Sequence, residues 1–364
     1  MSFLRRLPLS RLLLLCVLVV AIGVSAAAIA FALGSGPTPP PKPLAEAIHD
    51  ALGGRQLEGA SANIKLTDNL LEGASLASGG HSSELTSSPL VTGGSGRLWV
   101  AKDGRVRVEL QSQQGDTQIL YDGHTLSIYD AATNTLYRYT PKDEGSPSSS
   151  TETSDQHEVP SVAKIEEAIA RLRRHADVSG ATPTDVGGQP AYTVRLSPKE
   201  SGSLFGGVEL SFDADHGVPL RAAVYSSTSS APVIELAATE VSYGPVPDSV
   251  FEVNPPADAK VEEIVLPSGG THTSDKPTAG SEPDLTTQGH GPSTIAILES
   301  EAKVGAKSPT ESLEGLPKVT IDGTSASELR TALGTLLTFE RSSVRYLLAG
   351  SVTPAAIEAV ARGL

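Results

Sequence analysis

The chain has 364 residues, a formal net charge of −14 and a single cysteine, Cys16. So acidic a surface is repelled by nucleic-acid backbones and anionic headgroups, which excludes a basic-patch nucleic-acid binder; one cysteine excludes an intramolecular disulfide and a cysteine-based metal site. Aromatic residues make up only 4%, while Gly, Pro, Ser and Thr are plentiful, the composition of a turn-rich β protein.

Residues 12–33 form a run of 22 without a charge, long enough to cross a bilayer core as a helix of about 20 residues. Arg5, Arg6 and Arg11 precede it. The positive-inside rule keeps residues 1–11 cytoplasmic and exports the rest, a single-pass cell-membrane protein with its C-terminal part extracytoplasmic. A cleaved signal peptide is the competing reading, because Ala26, Ala28 and Ala30 supply small-residue cleavage positions; the product would then be secreted or periplasmic. Cys16 follows Leu15 deep in the apolar run, without the small residue that lipoprotein processing needs before its cysteine, so lipidation there is not expected.

Residues 34–43 read as a spacer that lifts a folded domain off the membrane, semi-rigid because of Pro37, Pro39, Pro40, Pro41 and Pro43. A short amphipathic helix is predicted over 44–52, with Leu44, Ile48, Ala51 and Leu52 on one stripe and Gly53 at its end. Strands begin near Ala62. Polar loops at about 73–94 and 141–157 are expected to be disordered.

Residues 96–139 carry the clearest pattern: five short alternating stretches punctuated by Lys-Asp-Gly, Gly-Asp, Asp-Gly and Thr-Asn-Thr turns. That is a run of antiparallel hairpins. Val106, Val108 and Leu110 share one strand face, and Arg105, Arg107 and Glu109 share the other. A long helix follows over 161–176, where Val162, Ile165, Ile169, Leu172 and Ala176 recur at helical spacing. Glu166 and Glu167 lie toward its positive end, and Arg171, Arg173 and Arg174 toward its negative end. Strands resume at 192–196, 207–213, 219–225 and 234–243, with Asp215, His216 and Gly217 as a hairpin turn. The sheet closes near 250–253, ending a main domain over 44–258.

Residues 259–316 have the composition of a low-complexity linker with at most one short strand around 294–298. The segment 317–364 reads as helix, hairpin, helix: Ser325 or Ser327 caps a short helix through Leu333, 336–339 pairs with 344–348, and Thr353 with Pro354 opens a terminal helix ended by Gly363. It is too small for a core of its own and is expected to pack on the main domain.

No catalytic or metal constellation emerges. The eight histidines show no pair at metal-site spacing. Asp213, Asp215 and Gly217 resemble half a calcium loop whose other ligands are missing, so they read as a turn. Gly93, Gly94 and Gly96 enter a strand with no helix N-terminus to complete a phosphate nest, and no Gly-x-Ser-x-Gly elbow occurs. The expectation is a non-enzyme without a cofactor. Its one-sided apolar sheet either packs as a core or stays partly open to a hydrocarbon guest, which periodicity does not decide.

Three blocks carry a family resemblance: GRLWVAKDGRVRVEL at 96–110, DGHTLSIYD at 122–130 and PDSVFEVNPPADAKV at 247–261. They resemble the outer-membrane lipoprotein carrier (LolA) family, whose members show a Gly-x-Leu-Trp-Val-Lys-Arg-Pro strand, an Asp-Gly-Lys-Thr-Leu-Trp-x-Tyr hairpin and a Phe-x-x-x-Pro-Pro close. The likeness extends over about 44–261 and to the wider group with the RseB/MucB regulators and the mycobacterial LppX/LprG lipoproteins. It implies an α+β, mainly antiparallel fold: an unclosed half-barrel with helices lidding its concave face, here preceded by the N-terminal transmembrane segment. The implied function is an exported, membrane-tethered or secreted protein that binds lipid or lipoprotein acyl chains non-covalently. An envelope-stress regulator that binds an anti-sigma factor, and a structural envelope protein with a packed core, are the alternatives.

An open cavity in such a fold would be lined by Leu98, Val100, Val106, Val108, Leu110, Ile119, Leu126, Ile128, Val194 and Leu210, with Ile165, Ile169 and Leu172 as lid. Lys102 falls at the family's gating arginine and departs from it: a lysine is a single point donor without the planar fork of a bidentate latch.

Overall fold

The computed structural model describes residues 36–55, 57–71, 89–113, 115–141, 159–252, 254–264, 284–301 and 316–364. The charge-free run at 12–33, and most of the loops at 73–94 and 141–157, lie outside the described residues. Among those described, no helix is long and apolar enough to cross a membrane.

The alternating stretches form five strands, β2 (Gly94–Ala101), β3 (Val106–Gln111), β4 (Asp116–Tyr121), β5 (Leu126–Asp130) and β6 (Thr135–Tyr139), following α1 (Leu44–Leu52), β1 (Gly59–Asp68) and the single-turn α2 (Pro89–Thr92). Register matches the apolar alternation: Leu98 stands opposite Val108, Val108 opposite Ile119 and Ile119 opposite Ile128. Gly96 is required in this ladder, since a Cβ there would fall 1.7 Å from the Glu109 carbonyl oxygen.

The second half comprises α3 (Val162–Leu172), β7 (Ala176–Val178), β8 (Thr182–Val186), β9 (Gln189–Pro198), β10 (Phe205–Asp213), β11 (Pro219–Ser226) and β12 (Pro232–Tyr243). Ser161 caps α3 by accepting from the Lys164 N–H at 3.4 Å. The helix stops at Leu172 rather than Ala176, because Ala176 pairs with Pro198 as the start of β7; strand pairing overrides the helical period there.

Among the described residues, with β13 (Lys260–Glu263), one thirteen-stranded sheet results, in the order β13-β6-β5-β4-β3-β2-β1-β12-β11-β10-β9-β7, with β8 also on β9. β1 joins the two halves, and the sheet does not close. The expected closure at 250–253 is corrected: Asp248–Phe251 is a 3-10 turn, and the last strand is β13 (Lys260–Glu263), laid parallel on β6.

The region read as linker carries β14 (Asp284–Gln288) and β15 (Ile295–Glu301). The helix expected near 325–333 is also corrected. Asp322 and Gly323 adopt positive φ (48° and 83°) and turn β16 (Lys318–Ile321) back into β17 (Thr324–Arg330). With β18 (Thr335–Arg341) and β19 (Val344–Gly350) these make a six-stranded sheet. The terminal helix α4 (Pro354–Arg362) forms as expected, capped by Thr353.

Contrary to expectation, this tail has its own core, since Ile357 and Ala361 of α4 pack on Ile321, Leu337 and Leu348. β14 and β15 lengthen the sheet enough to hide those side chains. It meets the large sheet through polar backbone contacts: Leu204 N–H donates to the Ser351 carbonyl at 2.8 Å, and Ala332 N–H to the Leu70 carbonyl at 3.1 Å.

Candidate functional site

Residues opposite each other in a ladder share a face. Leu66 opposes Leu236, Leu236 opposes Ala222, Ala222 opposes Leu210 and Leu210 opposes Val194. One apolar face therefore runs across both halves of the large sheet.

Its two flanks are covered. On β1 to β5, Ile64, Leu66, Val106, Val108, Leu110, Ile119 and Tyr121 form a buried cluster with Leu90 of α2 packed against it. On β9 and β10, Tyr192, Val194 and Phe212 lie beneath Leu44 and Ala47 of α1 and Ile169 of α3.

Between the flanks lies a small apolar recess of about 50 Å³, open to solvent at its mouth and lined by residues of β1, β2, β11 and β12. The recess exists because small residues stand where the sheet bends. Ala60, Ala62 and Ala238 line it with Ile64, Leu98, Val100, Leu220, Leu236 and Val241. The β1 to β12 register shifts between Asn63 and Ile64, an irregularity that sharpens local twist.

The sequence-based lining divides among these zones. Leu98 and Val100 line the recess. Val106, Val108, Leu110 and Ile119 belong to the packed flank, with Leu126 and Ile128 partly buried against it. Val194 and Ile169 meet under the helices, Ile165 is buried on α3, and Leu210 is half-buried between Val194 and Ala222. Leu172 is 41% exposed at the end of α3. Lys102 sits in the β2 to β3 turn, exposed and paired with Glu58 at 2.7 Å. The alanines at 60, 62 and 238 escaped the sequence reading because it ranks large apolar side chains. The signal was present as alanines paired with large residues on two neighbouring strands, Ala62 opposite Val241 and Ala238 opposite Ile64.

The opposite face is polar across β9 to β12. Glu209 accepts from Arg221 at 2.8 Å, Arg195 at 3.1 Å and the Tyr225 hydroxyl at 2.7 Å, and Arg221 also binds Glu235. Burial pushes the Glu209 carboxyl up, but hydrogen bonds from Arg221, Tyr225 and Arg195 outweigh it and hold the group below the usual carboxylate range. That face is satisfied by its own ion pairs and offers a hydrocarbon nothing.

Asp213 accepts from the backbone N–H groups of Asp215 (2.8 Å) and His216 (2.7 Å), which closes the expected turn as an Asx turn. Among the described residues no group of three acidic, His or Cys side chains is placed to hold a metal ion.

A profile described as a predicted periplasmic protein family (DUF2092) matches residues 79–151, which include all five hairpin strands. No curated protein matches the chain. Among solved structures, the chain is similar to the MucA/MucB complex of Pseudomonas aeruginosa, with 15% identity over 87% of this chain and 96% of that one, at a TM-score of 0.42. It is also similar to the LolA superfamily protein NE2245 of Nitrosomonas europaea, with 11% identity over 58% of this chain and 98% of that one, at a TM-score of 0.22. The large sheet itself is mostly antiparallel and unclosed, with few helices.

Proposed function

We propose that this is an extracytoplasmic, membrane-tethered binding protein of the cell envelope, which holds a hydrocarbon chain non-covalently in the inner-face recess. The observation that supports this reading is the recess itself: a cleft lined almost wholly by apolar side chains, flanked by packed, covered sheet on both sides. Each methylene moved from water into such a site contributes about 0.8 kcal/mol. A chain of about ten carbons, fully enclosed, contributes about 8 kcal/mol, within the roughly 4–15 kcal/mol of lost freedom on association, so the recess must widen around the chain to hold it. No catalytic step is assigned.

The test is organic extraction of the full chain, purified from cell membranes in a lipid-free detergent, followed by mass spectrometry. About one acyl lipid per chain is expected. Ala238→Phe fills the recess and is expected to lose that lipid while keeping its unfolding midpoint within a few degrees. Parent protein free of lipid would sink the proposal.

A further inference from the structure

The Pro-rich segment ahead of α1 is bound to the fold rather than standing free of it. Gly36 lies against Asp185 of β8, so closely that a Cβ there would fall 2.4 Å from the carboxylate. Pro39 is buried, and the Tyr192 hydroxyl donates to the Pro40 carbonyl at 2.6 Å. Lys42 then pairs with Asp50 of α1 at 2.6 Å. The segment is a strap laid along the β8 to β9 hairpin.

That hairpin packs behind the wall of the recess. Val186, next to Asp185, packs on Leu220 and Val241, and both line the recess. Gly187 at its turn has φ of +62°, and a Cβ there would fall 3.1 Å from the Ala238 carbonyl oxygen. Whatever fixes the strap therefore fixes one end of the recess.

Leu33 ends the apolar run, and only Gly34 and Ser35 separate it from Gly36. Three links span at most about 11 Å, at roughly 3.3–3.6 Å per residue. A free spacer of ten residues would instead leave the fold a root-mean-square reach of about 16–19 Å.

We propose that the docked strap seats the β8 to β9 hairpin, and the recess wall beside it, on the phospholipid surface that the charge-free run enters. This rests on the tethered reading above. The partner is a bilayer surface reached through the tether rather than through charge, because the chain's net charge of −14 rules out attraction to anionic headgroups.

The test uses the full chain with Cys16→Ser and one reporter cysteine, in phosphatidylcholine vesicles containing a headgroup-spin-labelled lipid. A fluorophore at Thr182→Cys, exposed on β8, is expected to be quenched several-fold more than one at Ser325→Cys, exposed on β17. Inserting twenty Gly/Ser residues between Leu33 and Gly34 touches no described residue and is expected to bring the first signal down to the second. Equal quenching at the two positions in vesicle-bound chain, or a signal indifferent to the insertion, overturns the docking. A chain that does not partition with vesicles overturns the tether and the docking together. Lipid extracted from the recess is measured independently, so the failures are distinguishable.

Discussion

The Arg107 guanidinium donates to the Val250 carbonyl at 2.7 Å, reaching from the outer face of β3 to the 3-10 turn. It also donates to the Glu252 carbonyl at 3.1 Å, and Arg105 lies over the Phe251 ring at 4.8 Å. Phe251 is thereby buried against Ala101 and Leu120. The third motif block is fastened to the first by two arginines on the wet side of the hairpin run.

Replacing Arg107 with Ala is expected to cost about 1.5–3 kcal/mol, the range for hydrogen bonds to a charged group. Arg107→Lys should recover only part of it, since Nη1 alone serves both carbonyls while Nε and Nη2 hold Glu109 and Gln118, and a point donor cannot do all of this at once. Urea unfolding midpoints measure both, and full recovery by lysine would refute the role of the fork.

Val108 is 2% exposed inside the packed flank, opposite Leu98 of the recess lining but not itself part of that lining. Val108→Asp buries an unpaired carboxylate and should destabilise the fold by several kcal/mol, so any loss of bound lipid would follow unfolding. Val108→Leu should leave lipid content unchanged. A lipid-free Val108→Leu that still folds would move the site to this flank.

The hairpin run was legible because each of its strands alternates cleanly and is ended by its own turn residues. The α3 stripe of Ile165 and Ile169 was legible too, although Ala176 continued the same period and was taken by β7. The recess was not legible. Its cause is a register shift beside Asn63, set by pairing with a strand some 175 residues later, and no local pattern encodes such a pairing. The Pro-rich strap likewise reads as a spacer until Tyr192 is brought to the Pro40 carbonyl.

Tyr243 donates to Asp213 at 2.6 Å and packs tilted against the His216 ring, with centroids 4.2 Å apart. Burial first, then the hydrogen bond to Asp213, pushes the phenol well above its usual range. Tyr243→Phe removes a partner from a carboxylate that is 1% exposed and should cost about 1–3 kcal/mol. Because these groups hold a turn and not an ion, millimolar calcium should leave the thermal midpoint unchanged. A calcium-dependent rise would restore the metal reading.

Asp68 ends β1 where the two sheets meet, with its neighbour Leu70 accepting from Ala332 N–H at 3.1 Å. Burial pushes the Asp68 carboxyl up to about 6 from 3.8, against the smaller opposite pull of the Leu70 N–H. The folded chain then holds this proton more tightly than the unfolded chain. The contribution is complete below about pH 4 and is lost as pH rises through about 6. At 1.36 kcal/mol per pKa unit, discounted for partial solvent screening, the loss comes to roughly 1–2 kcal/mol. Asp68→Asn keeps the shape and removes the titration, so the stability gap between the two proteins should shift by that amount between pH 4 and pH 6.5. Other carboxylates titrate in both proteins and cancel in the difference. A gap that stays flat across this window would show that Asp68 is solvated, and that the join at Leu70 and Ala332 is looser than drawn.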